Sequence, residues 1–161
     1  MPESGSITLH FLRHASVEGM AASDRALIEQ ADAAASRAYA PYSNFHVGAA
    51  LRLADGTVVS GNNQENASFP AGICAERTAL HAAMSMRPDA VVEVIAVVVP
   101  QAGADRPVSP CGICRQALVE QEVRQGSPMR VLLVASGGSV QELSSARDLL
   151  PLSFDVSFLR P

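Results

Sequence analysis

Three observations predict a single α/β domain. The apolar patterns run in the order β-hairpin, helix, strand, helix, strand, which builds a sheet with helical cover. A chain of 161 residues, 48% of them hydrophobic, can bury one substantial core but is small for two. No internal repeat, low-complexity tract or interdomain linker divides it.

The elements follow in order. "ITLHFL", Ile7 to Leu12, alternates like a strand. Ser23 then opens an alanine-rich stretch, Asp24 to about Ala38, that reads as a helix capped by a hydroxyl; "APYSN" breaks it. Val47–Leu53 and Thr57–Ser60 flank "ADG" and predict a β-hairpin. The loop "GNNQENASFPAGI" leads to a helix of about Cys74 to Ser85, and Val91–Val99 is nearly continuous and β-branched, as a strand covered on both faces would be. After the loop "PQAGADRPVSP" come a helix of about Cys111 to Val123 and a strand at Arg130–Ala135; Ser139–Leu143 reads as a short further strand and "DLLPLSF" as a terminal turn. Residues 1–22 are read as an extension, partly strand, and residues 23–161 as the domain.

Chain direction places the polar residues. If the second hairpin strand runs upward, the helix from Cys74 runs down, the strand at Val91 returns up, and the helix from Cys111 starts at the top. Cys74, Cys111 and Cys114 therefore meet at one end of the sheet, with Asn63, Glu65 and Phe45. Open α/β sheets hold their ligands there, beyond the carboxyl ends of the parallel strands.

Composition narrows the partners. No apolar run approaches the roughly 20 residues a bilayer span needs, and the start lacks a basic region followed by a sustained apolar one, so a cytoplasmic chain is expected. In a reducing compartment three cysteines point to a metal or catalytic use before a disulfide. A net charge of −4, no Trp and two Tyr argue against a nucleic-acid partner and for a small molecule.

Three thiols at the first turns of two helices form a plausible Zn²⁺ site, because helix N-termini lower thiol pKa. Three protein ligands leave a fourth position for a water whose pKa the metal lowers. Glu76, two residues after Cys74, sits on the same turn but points elsewhere, as a proton carrier beside that water would. Arg77 would offset the excess negative charge of the sulfurs. A lone C-x-x-C also serves redox pairs and structural zinc knuckles, but a structural site normally closes its fourth position and no fourth Cys exists. His10, His14, His46 and His81 are read as packing or surface residues. "FLRHAS" resembles the Arg-His pair of histidine phosphatases, but those follow His with Gly and need a domain as long as most of this chain.

"CAE", with "PCGICRQ" beginning at Pro110 and its first Cys 37 residues after Cys74, is specific in combination. Together with "YSNFHVGAAL", "GNNQENASFPAGICAERTAL" and "LLPLSF", in that order and spacing over about Asp24 to Phe154, it resembles the small zinc-dependent cytidine deaminases. The resemblance implies a three-layer α/β/α fold, a mixed sheet of about five strands with helices on both faces. It implies one Zn²⁺ per chain on Cys74, Cys111 and Cys114, with Glu76 shuttling protons to N3 and the leaving amine of cytidine or 2′-deoxycytidine in pyrimidine salvage. By the same resemblance Asn63 and Glu65 would hydrogen-bond the ribose, Phe45 would pack on the base, Ala75 would offer its N–H to the base, and Phe154 would close a pocket, often a neighbour's, within a homotetramer. Gln64, His46 and Phe69 depart from the family's usual residues, and Phe69 removes a hydroxyl that could meet the sugar. A deaminase of another aminopyrimidine nucleoside, such as one resembling blasticidin S, and a zinc-stabilised binding module without catalysis are the alternatives.

Overall fold

The computed structural model describes residues 1–159. Among them six strands form one sheet: β1 (Leu12–His14), β2 (Gly48–Leu53), β3 (Val58–Asn62), β4 (Val92–Val98), β5 (Arg130–Val134) and β6 (Val140–Leu143). Their spatial order is β1-β6-β5-β4-β2-β3. Only β4 and β5 pair in parallel; every other neighbouring pair is antiparallel. Three helices, α1 (Ala22–Ala35), α2 (Ala75–Met86) and α3 (Gly112–Gln125), cover the sheet.

Strand alternation sorts the helices into layers, because successive side chains point to opposite faces. Ala50, Val94, Ala96, Val98, Leu132 and Val134 pack against Leu27, Ile28 and Ala31 of α1. Ala49, Leu51, Ile95, Val97, Val131 and Leu133 pack on the other face against Ala79, Leu80 and Ala83 of α2 and Leu118 of α3. The result is the expected α/β/α arrangement. In β4 only Glu93 is exposed, which accounts for its near-continuous apolar run.

Two glycines set the distance between layers. A Cβ at Gly48 would strike the Ala31 carbonyl oxygen and the Ala35 nitrogen of α1, and one at Gly61 would come within 2.5 Å of the Ala79 nitrogen and 2.9 Å of the Ala75 oxygen in α2. A strand glycine here is a close backbone approach. Gly61 lets α2, which carries Glu76, lie directly on β3. At the hairpin tip Gly56 takes φ 85°, and Asp55 Oδ1 accepts from the Thr57 N–H at 2.9 Å.

The structure corrects three expectations. The first helix begins at Ala22 with Ala21 at its cap position, so Ser23 lies inside the helix and caps nothing. The first strand is Leu12–His14, not Ile7–Leu12. Ile7, Leu9, Phe11 and Leu12 all remain exposed, so their alternation has no buried face to fill. The strand forms only where its backbone meets β6, Leu12 opposite Glu142 and His14 opposite Val140, with His14 Nε2 2.7 Å from Glu142 Oε2. This edge strand makes six where about five were expected.

Candidate active site

The direction argument holds. β3 and β4 are both antiparallel to β2, and β5 is parallel to β4, so all three share one direction. α2 and α3 both begin at the carboxyl ends of the strands before them. Cys74 occupies the cap position of α2 and Cys111 that of α3, both extended, while Cys114 lies one turn into α3.

The three sulfurs lie within 4.8 Å of one another, Cys74 and Cys111 at 3.8 Å. The Cys74 thiol is lowered to about 5, by Cys114 first and then, against burial, by Cys111 and Arg77. Cys114 moves up in answer, because the proton that relieves Cys74 stays on Cys114. A soft dication bound by the three sulfurs would displace their protons. No histidine or carboxylate joins this cluster among the described residues. Three soft donors with no fourth fit zinc with an open vertex.

Glu76 is 4% exposed. Burial raises its pKa, and the charge of Cys74 acts the same way. Arg77 keeps its charge because the sulfurs of Cys114 and Cys74 outweigh the cost of its burial. Its Nε is buried without a hydrogen-bond partner, while the guanidinium meets the sulfurs of Cys114 and Cys74 through hydrogen bonds and charge together. Ala75 is fully buried behind Cys74.

A cleft of about 650 Å³ opens over the cluster, within the usual range for a small-molecule site. Cys74, Arg77 and Cys111 form its floor; Asn63, Glu65, Phe69 and Ile73 are among its walls. Backbone pairing fixes the walls. Gln64 exchanges N–H and C=O bonds with Ile73 at 2.9 and 3.0 Å, while Tyr39 accepts from the Glu65 N–H at 2.8 Å and donates to the Asn63 carbonyl at 3.1 Å. The Gln64 side chain turns back to Asn62 Oδ1 at 2.6 Å.

Asn63 and Glu65 are both committed within the chain. Asn63 Nδ2 donates to the Phe45 carbonyl and Oδ1 accepts from the Val47 N–H, each at 2.8 Å. Glu65 Oε2 accepts from the N–H groups of Tyr42 at 2.9 Å and Ser43 at 3.3 Å, and Oε1 from the Ser43 hydroxyl. These donors, the Ser43 hydroxyl first, hold its carboxyl below the usual range. An amide has two donors and two lone pairs, and a carboxylate about four lone pairs, so each side chain keeps capacity for a ligand.

Phe45 and Phe154 do not line the cleft. Phe154 is 57% exposed and stacks on Phe158 at 5.8 Å, while its carbonyl accepts from Gln116 Nε2 at 2.9 Å. Sequence reasoning missed the wall residues Tyr42, Ser43, Ile73 and Ile113 and the role of Arg115, although "YSNF" and "PCGICRQ" contain most of them. Arg115 bonds the Pro110 carbonyl at 2.7 Å, the Leu149 carbonyl at 3.0 Å and Ser109 Oγ at 2.9 Å, tying the cysteine turn to the C-terminal segment.

Comparison with known proteins agrees with this geometry. The family model of the cytidine and deoxycytidylate deaminase zinc-binding region matches residues 21–127. A cytidine deaminase of Halalkalibacterium halodurans is 44% identical over 128 residues, 80% of this chain and 91% of its own; one of Sporosarcina psychrophila is 44% identical over 130 residues, 80% of this chain and 88% of its own. The crystal structure of cytidine deaminase from Burkholderia pseudomallei superposes with a TM-score of 0.71 at 47% identity, covering 80% of this chain and 97% of that one. With a zinc-fitting sulfur triad under a cleft of nucleoside size, and relatives this similar over most of their length, the chain belongs to the cytidine and deoxycytidylate deaminase family.

Proposed function

We propose that the chain hydrolytically deaminates cytidine and 2′-deoxycytidine to uridine and 2′-deoxyuridine with release of ammonia. The observation that carries this reading is the sulfur triad under a cleft whose walls carry Asn63 and Glu65, with Glu76 buried beneath the cleft lining two residues from Cys74 and its pKa raised by that burial. Zinc held by Cys74, Cys111 and Cys114 would supply a water acidic enough to act as a nucleophile near neutral pH. Glu76 would carry the two protons of the attacking water in turn, the first to N3 and the second, from the hydroxyl then on C4, to the exocyclic amine, which leaves as ammonia only once protonated. Its burial suits both halves of that task, since a raised pKa narrows the gap between holding and giving the proton. Arg77 moderates the charge of the sulfurs. The Ala75 N–H, at the first position of α2, has no acceptor within the helix and would turn to the base once a nucleoside fills the cleft.

Asn63 and Glu65 read the ribose with the capacity left after their internal bonds. A free base would leave these polar groups unpaired, which disfavours cytosine. Phe45, on the loop that Asn63 clips, lies outside the cleft lining and would have to turn inward to pack on the pyrimidine.

Residues 23–161 form the catalytic domain and residues 1–22 an extension to it. The active assembly is a homotetramer in which Phe154 completes a neighbour's pocket; its exposure, and its distance from the cleft lining of its own chain, support that role. The setting is cytoplasmic pyrimidine salvage: three free thiols need reducing conditions. No described helix is long and apolar enough to cross a membrane.

The decisive experiment is an ammonia-release assay on cytidine, 2′-deoxycytidine, cytosine, adenosine and blasticidin S. Turnover of the two cytosine nucleosides is expected. Turnover of cytosine alone would overturn the ribose assignment, and turnover of blasticidin S alone would move the substrate to the modified nucleosides. Sedimentation tests the assembly, and a strictly monomeric active enzyme would remove Phe154 from the site.

A further inference from the structure

The loop between α1 and β2 reverses at Asn44, a non-glycine residue with φ 53°, whose N–H donates to the Ala40 carbonyl at 2.9 Å. The reversal folds the chain around the Ser43 hydroxyl. That hydroxyl donates to Glu65 Oε1 and accepts from the Phe45 N–H at 3.0 Å. A serine hydroxyl has one proton to give, and here it goes to Glu65. Its oxygen meets the backbone of the residue proposed to pack on the base. Ser43 itself lines the cleft. The same carboxylate receives the N–H groups of Tyr42 and Ser43, so Glu65 is gripped by three donors from two consecutive residues.

We infer that Ser43 is a positioning residue for nucleoside recognition, its hydroxyl fixing the Glu65 carboxylate and the Phe45 backbone in one arrangement. The inference rests on the proposed deaminase reading and extends it to a residue outside the sugar and base contacts already assigned. Without the hydroxyl, Glu65 loses the bond to one of its two oxygens and is free to turn about its last torsion, while the Phe45 N–H loses its acceptor. Sugar reading and base packing then deteriorate together, although Ser43 takes no part in proton transfer.

The test compares Ser43→Ala, Ser43→Thr and Ser43→Val with wild type in steady-state kinetics on cytidine, and in calorimetric binding of uridine, which is not deaminated. Ser43→Ala should raise KM and weaken uridine binding about tenfold, the size of a lost hydrogen bond to a charged group, and change kcat far less. Threonine keeps the hydroxyl and valine matches its shape without it, so Ser43→Thr should recover most of the affinity and Ser43→Val should not. That pair decides the matter even if the alanine variant folds poorly. In a Glu65→Gln background, where the charged acceptor of the Ser43 hydroxyl is already gone, Ser43→Ala should cost less than it does alone, the remainder being the lost acceptor of the Phe45 N–H. Affinity within about twofold of wild type for both Ser43→Ala and Ser43→Val, or a full further loss in the Glu65→Gln background, would overturn the role while leaving the deaminase reading intact. A wild-type protein that neither deaminates a cytosine nucleoside nor binds uridine would overturn the reading itself, and the role of Ser43 with it.

Discussion

Asn63 Nδ2 donates to the Phe45 carbonyl at 2.8 Å, so a side chain assigned to the sugar also holds the loop that carries the ring assigned to the base. The opposite end of the same amide accepts from Val47 at 2.8 Å. Asn63→Ala should therefore harm more than one contact. A drop in kcat/KM of roughly tenfold to a hundredfold is expected, the range for losing one to two hydrogen bonds with partners left unpaired. Asn63→Asp should be no better, because it sets a second acceptor against the Phe45 carbonyl. Kinetics on cytidine with both variants check this, and near-normal kcat/KM in Asn63→Ala would refute it.

Glu76→Gln keeps the shape of the side chain and removes its titration. With the carboxyl buried and its pKa raised first by desolvation, amide replacement should leave the melting temperature unchanged or slightly higher and the zinc content at one per chain. Turnover should fall by at least about 10²-fold, the lower range for losing a general acid–base group. A non-catalytic zinc module would show no such dependence in any ligand binding it has.

Cys111 is the exposed member of the triad, and Cys114 the buried one. Cys111→Ala should lose both zinc and activity, since two remaining sulfurs make a weak site. Prolonged treatment of the wild type with a strong chelator should do the same and lower the melting temperature, because metal binding stabilises the folded chain. Metal analysis by mass spectrometry beside a thermal melt reads both effects. Full activity in zinc-free protein would remove the basis of the mechanism.

Away from the site, Asp24 ties α1 to the sheet through Arg130 at 2.8 Å and Arg52 at 3.4 Å. Burial alone would raise its carboxyl, but the two guanidinium groups outweigh burial and hold it below its ordinary value. A depressed folded-state pKa adds stability that is present above the unfolded value, about 3.9, and fades as pH falls through the folded one. Wild type should exceed Asp24→Asn by about 1–3 kcal/mol at pH 7, a range that allows for the partial exposure of the arginines. The gap should narrow as pH falls below the ordinary carboxylate range, through the depressed folded-state pKa. Denaturant titrations across that range provide the check; a gap that does not narrow with acid would show that the network works through packing instead.

Spacing and alternation made most of this protein legible. Cys111 and Cys114 share one helical turn by covalent count, the apolar run at β4 requires cover on both faces, and the direction of successive elements put the cysteines at one end. The glycines held more than was read from them. Gly61 reads as an ordinary strand residue until α2 is seen lying on its backbone. At the N-terminus the local pattern misled, because Ile7 to Leu12 alternate without a face to bury.

The sequence by itself determined that helices start at Cys74 and Cys111 and that β4 is apolar on both faces, because those properties belong to local backbone geometry and side-chain chemistry. Only the tertiary structure decided that Cys74 and Cys111 stand 3.8 Å apart across 37 residues. It alone sealed Glu76 from water, spent most of the Glu65 lone pairs on Tyr42 and Ser43, and turned Phe154 away from its own cleft. Distance, burial and hydrogen-bond choice arise when separate segments compete for the same space, and no single segment contains the outcome of that competition.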